Sequence, residues 1–464
     1  MTQPTTLGQL RASGYQPRTV KEEMRNNLVA KLRTGETLFP GVFGYEETVI
    51  PQIESAILSG HDIVLLGERG QAKTRIARSL LQLLDEEMPA IANTELHEDP
   101  FNPITAEGRR LVEENGDDTE IAWIPRERRY GEKLATPDTT IADLIGEVDP
   151  IKVAEGRYLS DEYVIHYGLV PRTNRGVFCI NELPDLAERI QVGLLNIMEE
   201  RDVQIRGYKI RLPIDVFVVA SANPEDYTNR GRIITPLKDR FGSQIRTHYP
   251  RTLEHEIDIM EAERQTFPAE GYEVVVPQYM KEIVAEFTHL ARKSPDISQR
   301  SGVSARVSIA NYENLLSSAF RRSVRLGERQ VTPRVSDLPA MLASTTGKIE
   351  LESSGDQRDE KVIDKLMQGA VLNVWKRYFL LQEFDDVVQR FDNGLVVEVS
   401  ETSPSMTYVQ QLSDVQTLKT AVAKLGATGS PASIAAALEF LLEGLHLNRK
   451  LNKDRTAGTL RYRR

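Results

Sequence analysis

The sequence predicts an α/β core, a parallel sheet flanked by helices, followed by an all-helical segment and a mainly helical C-terminal extension. Three observations carry that expectation. Short continuous apolar runs at 63–66, 177–180 and 216–220 are separated by helical stretches, as in buried parallel strands joined by helical crossovers. A glycine-rich turn at 67–74 lies between the first run and a helix. From residue 251 to about 340 long helical segments follow one another without a convincing strand pattern.

Taken in order, residues 1–38 are polar, with a helical pattern from about 20 to 32, and read as an N-terminal arm that packs weakly or docks on a neighbour. A compact domain is expected over 39–250. It opens on a Gly/Pro-rich entry and an amphipathic helix with Val49, Ile53 and Ile57 at four-residue spacing. Residues 251–345 read as a helical lid, built from EHEIDIMEAERQTF, QYMKEIVAEFTHLARKS and SIANYENLLSSAFRRSV. A polar stretch, 344–361, reads as a linker, and 346–464 as the C-terminal helical extension with a basic, solvated tail.

Composition narrows the function classes. With 464 residues, 40% of them hydrophobic and 27% charged, the chain is neither disordered throughout nor a small scaffold. Its single cysteine, Cys179, excludes an internal disulfide and a cysteine-based zinc site, and fits a reducing cytosol. No apolar run approaches the roughly 20 residues of a membrane span, and the first residues lack an export pattern. The expected location is therefore cytoplasmic, with no membrane partner. A net charge of −10 disfavours broad affinity for nucleic acid. His61, His97, His166, His248, His255, His289 and His446 show no metal-ligand spacing.

The turn itself reads Gly67, Glu68, Arg69, Gly70, Gln71, Ala72, Lys73, Thr74, and then a helix with Ile76, Leu80 and Leu84 on one face. Backbone N–H groups and the positive end of such a helix surround a phosphate, Lys73 can reach the β- and γ-phosphates, and Thr74 can place a hydroxyl on Mg²⁺. Ala72 stands where the usual pattern has glycine, which requires an ordinary helical φ there. Near residue 180, Val177, Phe178, Cys179 and Ile180 run into Asn181 and Glu182, resembling a Walker B strand. Glu182 suits activation of water, whereas Asn181 brings an amide oxygen in place of a carboxylate, which weakens the expected grip on metal. The same residues also fit a strand capped by a surface turn, and Cys179 fits core packing.

The next strand ends in Ser221, Ala222, Asn223 and Pro224. An amide there can report the γ-phosphate to the attacking water; a plain Asn-Pro turn is the alternative. The segment 203–212 alternates around Gly207 and reads as a projecting hairpin with Arg206, Lys209 and Arg211 outward. Arg240, in LKDRFG, suits a finger that reaches a neighbouring subunit's phosphate, worth roughly 10³–10⁵ in turnover, or a local ion pair. Arg230 and Arg232 are reserves for that role. Arg306, in SARVS, suits a lid-side contact to nucleotide, or a solvated helix face.

As an ordered set, GERGQAKT, RGVFCINE, ASANP, LKDRFG and SARVS resemble the AAA+ ATPases, in the branch of the magnesium chelatase ATPase subunit and the MoxR proteins. The stretch TIADLIGEVDP, then Glu155, Gly156, Arg157 and Gly168, Leu169, Val170, is similar to that branch's insertion in the second core helix, and the 203–212 hairpin to its insertion before the sensor strand. The resemblance covers about 39–342. It implies ATP and Mg²⁺ as cofactors, a ring of usually six subunits, and a partner bearing a von Willebrand factor A domain that is remodelled or loaded with metal. Residue by residue it implies that Gly67 to Thr74 bind nucleotide, with Lys73 and Thr74 on phosphate and Mg²⁺. Asn181 joins Thr74 at the metal, Glu182 activates water, Asn223 senses the γ-phosphate, and Arg240 and Arg306 act in trans and from the lid. A nucleotide-stabilised scaffold with little hydrolysis and a nucleic-acid-linked motor are the alternatives.

Overall fold

A computed structural model describes the chain except residues 1–2, 150, 152–161, 205–210, 224–230, 266–269, 299–301, 353–355, 401, 413–414 and 457–458. It divides into two compact units, 1–248 and 249–464.

Along the first unit, β1 (Ile63–Leu66) is followed by β2 (Glu87–Ile91) and β3 (Ile121–Pro125), which pair antiparallel. Then come β4 (Tyr130–Leu134), the antiparallel pair β5 (Gly146–Val148) and β6 (Ile165–Tyr167), and β7 (Gly176–Asn181). A second antiparallel pair, β8 (Asp202–Gln204) and β9 (Arg211–Pro213), precedes β10 (Val216–Ala222) and β11 (Ser243–Arg246). The central sheet runs β11-β1-β10-β7-β4, with every pair parallel.

Successive side chains of its inner strands point to opposite faces. Val64, Phe178, Ile180, Val216 and Val218 pack on one side with Ile190, Leu194 and Ile197 of the helix Glu188–Glu199. Ile63, Leu65, Val177, Cys179, Phe217 and Val219 pack on the other with Val49, Ile53 and Ile57 of the helix Val49–Leu58. Cover on both faces is why β1, β7 and β10 read as unbroken apolar runs. The edge strands β4 and β11 are polar and only partly covered, so no apolar run announces them.

The N-terminal segment packs firmly rather than weakly. The helix Val20–Thr34 starts in a Thr19/Glu22 capping box and ends at Gly35, φ 70°. Its Val20, Met24 and Leu28 are buried in the same layer as β1 and β10. Its Glu23 carboxylate receives Arg129 Nη1 at 2.8 Å, with Arg129 fully buried. The helical pattern was visible in the sequence; the buried charge that docks the helix has its partner 106 residues away.

Two sequence features fall partly outside the described residues. The strands of the 203–212 hairpin are present, whereas Arg206 and Lys209 lie outside, as do Glu155, Gly156, Arg157, Pro224 and Arg230.

In the second unit one core joins residues on both sides of the expected 345/346 boundary. Met260, Tyr279, Ile283 and Leu315 share it with Trp375, Phe384, Leu441 and Tyr462. The helices Met341–Thr346 and Asp356–Tyr378 on either side of the polar linker both contribute, through Met341, Ile363 and Met367. Tyr279 stacks on Phe440 with ring centroids 4.5 Å apart. Within the expected all-helical lid, β12 (Glu273–Val274) and β13 (Gln330–Val331) form a short parallel pair. The basic tail is not a solvated coil: with β14 (Val397–Ser400), β15 (Asn452–Thr456) and β16 (Thr459–Arg463) make an antiparallel sheet that buries Tyr462. Among its described cations, Lys453 pairs with Glu443 at 2.7 Å, Arg463 with Asp454 at 2.6 Å and Arg464 with Asp392 at 2.8 Å. Charged residues on the open face hid the strand alternation.

Candidate functional site

Parallel pairing aligns the C-terminal ends of β1, β10 and β7, because Leu65 lies beside Ser221 and Ile180 beside Ala220. Loops leaving that edge meet where open α/β sheets bind ligands. From β1 the chain turns through 67–72 and enters the helix Lys73–Ser79. A Cβ on Gly67 would sit 1.8 Å from Thr247 Oγ1 and 2.2 Å from Gln71 Oε1, so only glycine fits. Gly70 has φ 74°. Gln71 spends its side-chain oxygen on bracing the loop, accepting from Glu68 N at 3.1 Å and Thr247 Oγ1 at 2.7 Å. Tyr45 Oη lies 3.0 Å from Gln71 O, and burial pushes its hydroxyl up to about 12.

Ala72 corrects an expectation. Its backbone is left-handed, φ 57° and ψ 16°, not helical. The last loop residue must reverse the chain before the helix begins, which glycine does without cost and alanine does against its Cβ.

Lys73 is buried, its ammonium donating to Gly67 O, to Glu68 O at 2.9 Å and to Asn223 Oδ1 at 2.7 Å. Asn223 in turn donates from Nδ2 to Glu182 Oε2 at 2.6 Å. One amide at the end of β10 thus links the loop lysine to the glutamate at the end of β7. Glu182 itself has φ 56° and ψ 47°, a strained position just past the strand, and its N–H donates to Ser221 Oγ at 3.2 Å. Asn181 Oδ1 lies 3.5 Å from Thr74 Oγ1 and accepts from Ser221 Oγ at 3.2 Å. Cys179, below them, is fully buried, and burial pushes its thiol up to about 12, which suits packing.

Arg240 and Arg232, in the first unit, engage partners outside this cluster. Arg240 ends the helix Thr235–Arg240 and binds Glu199 of the same chain, Nε to Oε2 at 2.8 Å, and Pro236 O at 2.9 Å. Arg232 is exposed, with Nε 3.5 Å from Glu188 Oε1. Arg306 belongs to the second unit, exposed in the first turn of the helix Ala305–Leu326, its N–H capped by Ser304 Oγ at 3.1 Å.

One participant was not visible in the sequence. Glu132, on β4, accepts from Asn181 Nδ2 at 2.8 Å and from Arg78 Nε at 2.8 Å. Tyr-Gly-Glu-Lys-Leu carries no motif; strand pairing, with Glu132 opposite Cys179, brings it to the site.

For Mg²⁺ the donor chemistry fits. Thr74 Oγ1 and Asn181 Oδ1 are neighbouring hard oxygens beside a loop shaped for phosphate, and Mg²⁺ is commonly held by few protein oxygens, phosphates and retained waters.

No family model matches the chain. It is 26% identical over 193 residues to the uncharacterized protein YeaC of Bacillus subtilis (strain 168), a match spanning 38% of this chain and 56% of that protein. It is 25% identical over 300 residues to the magnesium-chelatase subunit ChlI of Nephroselmis olivacea, spanning 60% of this chain and 77% of the subunit. Among solved structures, the complex between BchI and BchD of magnesium chelatase is similar at 18% identity and a TM-score of 0.36, covering 70% of this chain and 98% of that chain.

Proposed function

We propose that the protein is an AAA+ ATP hydrolase of the magnesium chelatase and MoxR branch, that it works as a ring of six subunits, and that it remodels or metal-loads a partner with a von Willebrand factor A domain. The observation that carries the reading is the Lys73–Asn223–Glu182 chain of hydrogen bonds at the mouth of a phosphate-shaped loop.

Each residue of the cluster has a task that its position supports, and Arg240 and Arg306 are assigned theirs from the family resemblance. The loop N–H groups and the start of the Lys73–Ser79 helix receive the phosphates. Lys73 exchanges its bonds to Gly67 O and Glu68 O for phosphate oxygens. Thr74 and Asn181 would hold Mg²⁺, which would supply positive charge to offset that of the phosphates. Glu182 orients and deprotonates water, and Asn223, already on both Lys73 and Glu182, couples the state of the γ-phosphate to that base. Arg240 leaves Glu199 to complete a neighbouring subunit's site, and Arg306 serves the nucleotide from the lid.

The test is ATP turnover against protein concentration with Mg²⁺ present. Turnover per subunit is expected to rise with concentration and to fall by roughly 10³-fold or more in Arg240→Ala. Lys73→Ala is expected to weaken nucleotide binding about 10–100-fold, whereas Glu182→Gln binds nucleotide without turning it over. Wild-type turnover no faster than Glu182→Gln would replace the motor with a nucleotide-stabilised scaffold, the reading that Asn181 favours. The nucleic-acid reading is the less favoured, since Lys453, Arg461, Arg463 and Arg464 of the basic tail are engaged by acids of the same unit.

A further inference from the structure

At the expected metal position the chain has an amide, and the nearest unassigned carboxylate belongs to the adjacent strand. We propose that Glu132 carries the negative charge that Asn181 lacks, acting through the Asn181 amide on the Mg²⁺ site at Thr74. This rests on the ATP and Mg²⁺ reading and adds a positioning residue to it.

The Asn181 amide is oriented by its partners. Its nitrogen donates to Glu132 Oε1 at 2.8 Å, while its oxygen faces Thr74 Oγ1 at 3.5 Å and Ser221 Oγ at 3.2 Å. A carboxylate on the N–H side polarises the amide, and the oxygen on the far side becomes the stronger acceptor. Asn181 is buried, so that polarisation is poorly screened.

The same geometry accounts for asparagine itself. An aspartate at 181 would set one of its oxygens where Nδ2 now lies, 2.8 Å from Glu132 Oε1, and two carboxylates so close cannot both ionise freely. The pair therefore holds one negative charge, placed on β4 instead of β7.

A simpler role for Glu132 is its ion pair with Arg78, Nε to Oε2 at 2.8 Å and Nη2 to Oε1 at 3.2 Å. Arg78 is 62% exposed against 22% for Glu132, so water screens the arginine more than the inward contact to Asn181. The two roles predict different variants to fail.

The experiment is a Mg²⁺ titration of fluorescent (N-methylanthraniloyl) ADP binding, which needs no turnover. Glu132→Gln is expected to raise the Mg²⁺ midpoint about 10-fold and to leave nucleotide affinity in EDTA unchanged. Arg78→Ala is expected to keep the wild-type midpoint. Glu132→Gln combined with Asn181→Asp returns the charge to β7 and is expected to recover the wild-type midpoint, which also guards against a folding defect in the single variant. A wild-type midpoint in Glu132→Gln, an equal rise in Arg78→Ala, or no recovery in the double variant would overturn the proposal while leaving the ATPase reading intact. Failure of the wild-type protein to bind ADP with any Mg²⁺ dependence would sink both.

Discussion

Ala72 carries a methyl group in a left-handed backbone, φ 57°, one residue before the lysine that the whole site turns on. That conformation costs an L-residue roughly 1–2 kcal/mol, and replacing alanine by glycine returns about 0.4–1 kcal/mol to the unfolded chain as entropy. Ala72→Gly is therefore expected to stabilise the first unit by about 0.5 kcal/mol, read as a higher denaturant midpoint at unchanged slope; a lower midpoint would show that the methyl packs usefully. Lys73, Thr74, Glu182 and Asn223 could be named from the sequence as candidates because phosphate chemistry favours those residue types where a glycine-rich turn enters a helix and where strands end. The φ of Ala72 and the approach of Glu132 were not legible, since the first depends on how the loop closes over Gln71 and Thr247 and the second on which strand lies beside β7.

Among elements, the helix Val20–Thr34 shows how a polar N-terminal segment becomes part of a core. Its buried Glu23 receives both Arg129 Nη1 and Asp85 N, at 2.8 and 2.7 Å. Removing one partner leaves the other charge buried and unpaired, which typically costs about 3–5 kcal/mol. Glu23→Ala is expected to destabilise the first unit by that amount in chemical denaturation; a loss below about 1 kcal/mol, the range of a surface pair, would mean that water reaches Arg129. The helix was legible as a helical pattern over about 20–32. Its tight docking was not, because a glutamate on a helix reads as solvent-facing until its arginine is located.

For the whole molecule, acid should act on the two units in different windows. In the first, burial and the cations Arg128, Arg129 and Arg175 lower His97 to about 4 from the usual 6.5. The unfolded chain then binds the extra proton first, so this contribution is present above pH 6.5 and is lost as pH falls from about 6.5 to 4. In the second, burial of Glu256 is outweighed by His289, Arg292 and Ser308, which hold its carboxyl at about 2. That contribution is present above about pH 4.5 and is lost toward pH 2. Urea denaturation followed by hydrogen exchange in each unit between pH 7 and 3 should show the first weakening at milder acid; His97→Gln should flatten that part of its profile. Simultaneous weakening of both would show that other groups dominate.

By itself the sequence determined the α/β order of the first unit, the glycine-rich turn between β1 and the following helix, and the residues at the ends of β7 and β10. Strands buried on both faces must be apolar throughout, and a phosphate site needs glycine, lysine and a hydroxyl in fixed succession, so both are written locally. Only the tertiary structure decided that 251–345 and 346–464 share one core, that the basic tail forms strands against β14, and that Glu132 meets Asn181. Those depend on contacts between residues distant along the chain, where burial and pairing are properties of the partner as much as of the residue.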